Sequence, residues 1–530
     1  MSDPNARETR SAPRRRLGYT RCMTHTTPRP GAPSSPDSVR PLRIDSPTGA
    51  GVPEWDVEAD VVVVGYGIAG ACAAIEAART GAQVVILERA GGWGGAAALA
   101  GGFIYMGGGT ALQRALGFDD DVENMKAFLT AAMGPGADRA KLDAYCEGSV
   151  AHYDWLVDAG VRFKPSFFGE PGWEPPADDG LMYTGGENAA PFTSVAAAAP
   201  RGHVPQMSAK KAGEQSAGLM LMTPLSERIA ELGVRSEYDV TTRRLVVSAD
   251  DDGDRVVGVI GTRFGKELTV RARRGVVLAA GSFTYNDAMM RAHVPLLAGR
   301  PGSAVEQHDG RAIRMGQAVG ADLMHMDAAE VAIHCDPQMM VRGILVNGRG
   351  QRFVTEDTYP GRIGQEMALH QGNEAYLVLD ERAYEEAGST VSATPFLRFR
   401  PKWVGETVAE VESEAGLPEG SLQATVELYN RHAARGEDPM FGKNAQWLRP
   451  LEGNIAVIDL RGRTGGFALG GLRTDPDSRV LHVDGDPVPG LFAAGRCTSG
   501  LAAWGYASGA SLGDGSFFGR RAGISAAAAS

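Results

Sequence analysis

The sequence predicts an α/β fold: a parallel-sheet domain that opens near residue 55, is interrupted by an α+β insertion, and is completed by the C-terminal residues. Three observations predict it. The run Val61-Val62-Val63-Val64 leads straight into Gly65-Tyr66-Gly67-Ile68-Ala69-Gly70, and a short continuous apolar run is what a strand buried on both faces shows. Runs of the same kind recur far downstream, as Val276-Val277-Leu278-Ala279-Ala280-Gly281 and Leu491-Phe492-Ala493-Ala494-Gly495. Between roughly 326 and 454 glycine thins out and helical patterns appear at 406–414 and 422–434. The expected organisation is a tail over 1–54, one domain from 55–325 with 455–530, and an inserted domain over 326–454.

The elements follow in order. Residues 1–54 are rich in Arg, Pro, Ser and Thr and bury too little apolar surface to offset their ordering entropy, so a disordered tail is expected. Arg14-Arg15-Arg16 resembles a twin-arginine signal, but no apolar stretch follows and export is not expected; Met1 and Met23 are both candidate starts. Residues 71–80 read as a helix and 83–87 as the next strand. Residues 138–158 carry Leu142, Tyr145, Cys146, Tyr153, Leu156 and Val157 at helical spacing, with Gly160 as the stop. Residues 240–273 alternate apolar and polar around Asp250-Asp251-Asp252-Gly253, a meander pattern.

Composition excludes several classes. A net charge of −11 leaves no basic surplus to displace phosphate counterions, so nucleic acid is not an expected partner. The uncharged stretch 90–113 holds nine glycines and is too polar for a membrane span. The five cysteines (Cys22, Cys72, Cys146, Cys335, Cys497) form no framework, which suits a reducing, cytoplasmic setting. His334 and Cys335 are adjacent and no histidine pair has ligand spacing, so no metal is expected and His334 reads as a structural histidine. No repeat of 20–50 residues is visible.

The chemistry begins at the Gly-x-Gly-x-x-Gly segment. Between a strand and a helix, with Glu88 eighteen residues beyond Gly70 at the end of the next strand, it is a complete dinucleotide fingerprint of a Rossmann-like domain. Gly65 permits the tight turn, Gly67 lets backbone approach the pyrophosphate, and Gly70 allows helix to pack on sheet. Ile68 and Ala69 open the helix whose free N–H groups meet the phosphates, and Glu88 accepts from the adenosine ribose. Three later segments favour FAD over NAD, because a flavin ring must be held far from its adenosine. Gly91-Gly92-Trp93-Gly94-Gly95 suits wrapping of the diphosphate and ribityl chain, Ala279-Ala280-Gly281 ends a returning strand, and Gly490-Leu491-Phe492-Ala493-Ala494-Gly495 precedes a helix; Ala96, Gly101 and Gly102 are expected as further cofactor contacts. Close cofactor approach also explains the 70 glycines.

With these residues in place the chain resembles the flavoprotein family of fumarate reductases, succinate dehydrogenases and 3-ketosteroid dehydrogenases over roughly 58–525. The matching text is the fingerprint, His308-Asp309-Gly310, Gly350-Gln351-Arg352-Phe353, Leu469-Gly470-Gly471-Leu472, Gly490 to Gly495, and Gly509-Ala510-Ser511-Leu512 with Phe518-Gly519-Arg520. The resemblance implies further FAD contacts at Arg89, Val240, Arg496, Ser511 and Leu512, and an insertion that caps the substrate. Arg496 departs from the acid many members carry there. No histidine lies between Arg89 and Asp120, where covalent-flavin members have one, so the FAD is expected to be non-covalent.

Dicarboxylate-reducing members place a histidine and an arginine where this chain has Phe467 and Tyr506, and two carboxylates need cationic clamps. Tyr506-Ala507-Ser508 with Tyr359, and Gly169-Glu170-Pro171-Gly172-Trp173 with Gly185-Gly186-Glu187-Asn188, resemble the 3-ketosteroid Δ4-(5α)-dehydrogenase branch. That resemblance implies formation of a C4=C5 bond in a 3-keto-5α-steroid, by C4 proton abstraction and C5 hydride transfer to flavin N5. Tyr506 would donate to the ketone, aided by a backbone N–H among 508–510. Ser508 would be the base, and Tyr359 would carry the proton onward, its ordinary pKa of about 10 being closer to neutrality than a serine's. Phe467, Tyr506 and Ala510 would line the substrate. The plain alternatives are Tyr359 as a surface turn residue before Pro360 and Ser508 as a helix cap. Δ1-dehydrogenation, fumarate-type reduction and a non-catalytic flavin carrier stay open. The electron acceptor is not identified, and no second fingerprint points to NAD(P)H.

Overall fold

The computed structural model describes residues 38–45, 54–207, 217–250 and 253–529. The strand Val57–Val64 sits inside a nine-stranded sheet. It pairs in parallel with Val84–Leu87 on one side and Lys266–Leu278 on the other, and Pro487–Ala493 pairs in parallel with the latter. Val61, Val62 and Val63 are fully buried, as a strand covered on both faces must be. The helix Ile68–Arg79 forms the connection between the first two parallel strands. Against it lies the C-terminal helix Ala510–Ala528. An added Cβ at Gly519 or Gly523 would stand 2.4 Å from Ala69 O or 2.1 Å from Ala73 O, so small residues set how closely these helices approach.

Val240–Asp250, Gly253–Arg263 and Lys266–Leu278 form the expected antiparallel meander; Asp251 and Asp252 of its first turn lie outside the described residues. The helix Arg139–Asp158 is capped by the Asp138 side chain, and Gly160 follows with φ +102°. The helices Val408–Ala415 and Ser421–Ala433 lie where the periodicity places them.

Three expectations need correction. The tail is not structureless up to 54: Leu42–Ile44 pairs in parallel with Val246–Ser248, and Ile44 packs with Val246, Val257 and Ile260. Two alternating apolar residues suffice for an edge strand, and the Pro/Ser-rich average hides them. Cys22, Met23 and Arg14 to Arg16 lie outside the described residues. The boundary expected at 454 is also crossed by strand pairing, since Ile455–Asp459 pairs with Tyr376–Asp380 and Trp403–Gly405. Thr464–Ala468 then pairs with Ala329–Ile333. Finally, Gly495 opens only a short 3-10 turn, Gly495–Cys497, and an irregular loop separates it from the last helix. That loop carries Tyr506 and Ser508.

Candidate active site

A cavity of about 750 Å³ runs from the fingerprint glycines to Tyr359, Phe467 and Tyr506. Gly65, Gly67, Ile68, Ala69, Glu88, Arg89, Gly95, Ala96, Gly101, Gly102, Val240, Ala280, Gly281, Gly495, Arg496, Ser511 and Leu512 all line it. Tyr359, Phe467, Tyr506 and Ser508 line its other end. Gly70, Gly94 and Ala510 do not contribute to the lining. Gly70 acts by packing: a Cβ there would fall 1.9 Å from Gly65 O. Gly94 has φ +117°, and its added Cβ would meet Ala98 Cβ at 2.6 Å. Ala510 is buried and its N–H donates to Ala507 O at 3.0 Å.

The nucleotide end fits a dinucleotide. Glu88 is held in place by two backbone donors, Tyr66 N–H at 2.7 Å on one oxygen and Ala90 N–H at 2.8 Å on the other. Each oxygen keeps a lone pair for a ribose hydroxyl. A Cβ on Gly67 would meet nothing of the protein within 4 Å, so protein packing does not require glycine there, whereas a phosphate group approaching the backbone does. Thr242 Oγ1 and Arg496 Nε are buried without a protein partner, and both residues line the cavity. Such atoms call for a ligand carrying several hydrogen-bonding groups along its length. Arg89 is already paired with Asp309 at 2.9 Å. Arg496 stands 3.5 Å from Asp514, a buried acid no motif announced.

At the other end the two phenols and the serine converge. The rings of Tyr359 and Tyr506 are 6.4 Å apart, and Phe467 meets Tyr506 edge-on at 5.6 Å. Tyr359 heads the helix Pro360–His370 but is buried and makes no side-chain cap, which removes the surface-turn alternative. The loop before it is anchored by Arg352, bonded to Glu356 at 2.8 Å and Asp438 at 2.9 Å. Ser508 is clamped on both sides by Thr184: its N–H donates to Thr184 O at 3.0 Å, and its carbonyl accepts from Thr184 Oγ1 at 2.9 Å. The cap position belongs to Gly509, so Ser508 is no helix cap and its hydroxyl is near enough to Tyr359 to favour the phenolate. The Gly185-Gly186 segment lies against the same loop, since a Cβ on Gly186 would meet Thr358 Oγ1 at 2.6 Å. Trp173 stacks edge-on against Tyr359 at 6.4 Å. Tyr506 Oη accepts from Ser511 N–H at 3.2 Å, which leaves its own proton to point elsewhere. Ser508 and Ala510 N–H are engaged, leaving Gly509, which lines the cavity, as the backbone donor of the three.

Electrostatics changes one expectation. Burial, with the charge of Glu330, pushes the Tyr359 hydroxyl well above its ordinary value, so a free phenolate is costly and the simple argument from a pKa near 10 does not hold. Burial raises Tyr506 as well. Glu330, which the sequence reading missed, lines the cavity and accepts from Tyr359 O–H at 3.2 Å. Its signal was legible: a lone acid inside the otherwise apolar run 328–333. His334, read as structural, also lines the cavity, as does His308, whose imidazole burial lowers to about 4.

The family model described as FAD binding domain matches residues 60–512. The chain belongs to this family. FAD is therefore its cofactor. Among solved structures, the chain is similar to the 3-ketosteroid-Δ4-(5α)-dehydrogenase of Rhodococcus jostii RHA1 in complex with 4-androstene-3,17-dione. The two are 65% identical with a TM-score of 0.89, the match covering 92% of this chain and 100% of that one. The 3-oxo-5-alpha-steroid 4-dehydrogenase of Comamonas testosteroni is 28% identical, over 83% of this chain and 93% of the relative. The 3-oxosteroid 1-dehydrogenase of Mycobacterium tuberculosis is 27% identical over the same shares. Among the described residues no helix is long and apolar enough to cross a membrane.

Proposed function

We propose that this protein is an FAD-dependent dehydrogenase that oxidises 3-keto-5α-steroids to 4-ene-3-ones. A Rossmann-like unit carries the non-covalent cofactor, and the inserted α+β part caps the substrate. The observation that carries this reading is the convergence of Tyr359, Tyr506 and Ser508 on one end of the FAD cavity, beside an aromatic wall where dicarboxylate enzymes need cations. The bound flavin supplies the acceptor for the C5 hydride.

The chain's own residues govern the proton. The C4 hydrogen of a ketone is weakly acidic until negative charge develops on the C3 oxygen. A buried donor aimed at that oxygen stabilises the charge without reorganising. Tyr506 supplies it, its oxygen anchored by Ser511 N–H. Ser508, fixed through Thr184, takes the C4 proton, and Tyr359 receives it. Phe467 packs on Tyr506 and holds a neutral, apolar ring system. Anaerobic mixing of the holoprotein with 5α-androstane-3,17-dione tests this: the flavin bleaches and an enone product with C4=C5 unsaturation appears. No bleaching with any 3-keto-5α-steroid refutes it, and a C1=C2 product refutes the regiochemistry.

A further inference from the structure

Glu330 is buried in the strand Ala329–Ile333, with Val331, Ala332 and Ile333 buried beside it. Ladder pairing sets it directly opposite Phe467, the residue whose ring packs on Tyr506. Two other buried acids have cations at contact, Asp120 with Arg201 at 2.7 Å and Glu356 with Arg352 at 2.8 Å and Lys443 at 3.3 Å, and Glu88 has two backbone donors. Glu330 instead has a phenol, Tyr359 O–H at 3.2 Å. A carboxyl group placed in an apolar strand with only a neutral partner is expensive to ionise, and such groups gather where a proton is handled.

Building on the function proposed above, we propose that Glu330 is the terminal acceptor of the substrate's C4 proton, which reaches it from Ser508 through the Tyr359 hydroxyl. As the C4–H bond breaks, its electron pair enters the enolate and its proton goes to Ser508 Oγ. The Ser508 proton passes to Tyr359 Oη, and the Tyr359 proton passes to Glu330 Oε1. One negative charge moves from the carboxylate to the enolate and departs when hydride leaves C5 for the flavin. Serine and tyrosine end as they began, so neither alkoxide nor phenolate has to exist on its own. That resolves the difficulty set by Tyr359, whose phenolate burial disfavours. Burial, opposed only by the Tyr359 hydrogen bond, holds the Glu330 carboxyl at about 8, making it a stronger base than an ordinary glutamate at about 4.3. The titratable groups facing it are Tyr359, from the start of the helix Pro360–His370, and Tyr506, from the C-terminal loop. The paired strand presents Phe467.

The relay needs ionised Glu330, so flavin reduction should rise with pH and level off above about 8. The test is anaerobic stopped-flow reduction of the holoprotein by 5α-androstane-3,17-dione at pH values spanning that point. Glu330→Gln should slow reduction ~10²-fold, within the range for a lost proton acceptor, and erase the pH limb. The flavin spectrum and steroid affinity should stay unchanged, and Glu330→Asp should restore a limb. A Glu330→Gln rate within about threefold of the parent with the limb intact overturns the relay while leaving the function standing; a parent that no 3-keto-5α-steroid reduces takes both down. Should Glu330→Gln fail to hold FAD, infrared difference spectra of the parent decide instead. Reduction by substrate must produce a new protonated-carboxyl band, and its absence overturns the proposal.

Discussion

Replacing Tyr506 by phenylalanine isolates one oxygen. The ring is held edge-on by Phe467 at 5.6 Å and faces Tyr359 at 6.4 Å, so phenylalanine keeps the packing and removes only the hydroxyl. That hydroxyl accepts from Ser511 N–H at 3.2 Å and is buried. Two losses follow, and their sizes differ. Toward the neutral ketone of bound substrate it donates an ordinary hydrogen bond worth roughly 0.5–1.5 kcal/mol, so affinity should weaken no more than about tenfold. Toward the enolate in a water-excluded site one such donor is worth roughly 2.7–4 kcal/mol, so the reduction rate should fall about 10²–10³-fold. The Ser511 N–H left without an acceptor lowers stability by about 1–3 kcal/mol, visible in thermal unfolding and separable from the kinetics. The assay is anaerobic stopped-flow reduction over a range of steroid concentrations, which gives the limiting rate and the apparent Kd independently. A limiting rate within about fivefold of the parent, or a loss confined to binding, refutes the assignment of Tyr506 as the enolate donor.

Ser508→Ala keeps the backbone clamp of Thr184 and should lower the reduction rate at least ~10²-fold with FAD still bound; absorbance titration and stopped flow check both halves. Gly70→Ala puts a Cβ 1.9 Å from Gly65 O, and overpacking of this kind typically costs about 1–3 kcal/mol. Flavin content after purification should drop, whereas Gly67→Ala, with open space around its Cβ, should weaken FAD binding without lowering apoprotein stability. Burial holds His203 at about 4, below its ordinary 6.5. The unfolded chain therefore binds more protons between those values, and His203 makes stability fall as pH drops from 6.5 toward 4. Urea unfolding should show His203→Gln flattening that slope by up to ~1.4 kcal/mol per pH unit.

The nucleotide half of the site was legible because its determinants are local. Gly65, Gly67, Gly70 and Glu88 act through turn geometry and the spacing of one strand, one helix and the next strand, which all lie in consecutive residues. The substrate half was legible only as a resemblance. Nothing in the neighbourhood of Tyr359 or Ser508 along the chain says that a phenol and a hydroxyl separated by about 150 residues share a cavity. The strand Leu42–Ile44 escaped notice for a related reason: its partner, Val246–Ser248, lies about 200 residues away.

The residues alone determined that a dinucleotide is bound and that the chain returns to the same sheet at its end, because periodicity and glycine placement are read within a few turns of backbone. Tertiary structure decided which hydroxyls meet, that Thr184 holds Ser508, and that Glu330 faces Tyr359. It also decided how hard each of them is to ionise. A proton's path depends on distances and burial set jointly by strands and loops far apart in sequence, and no local pattern encodes either quantity.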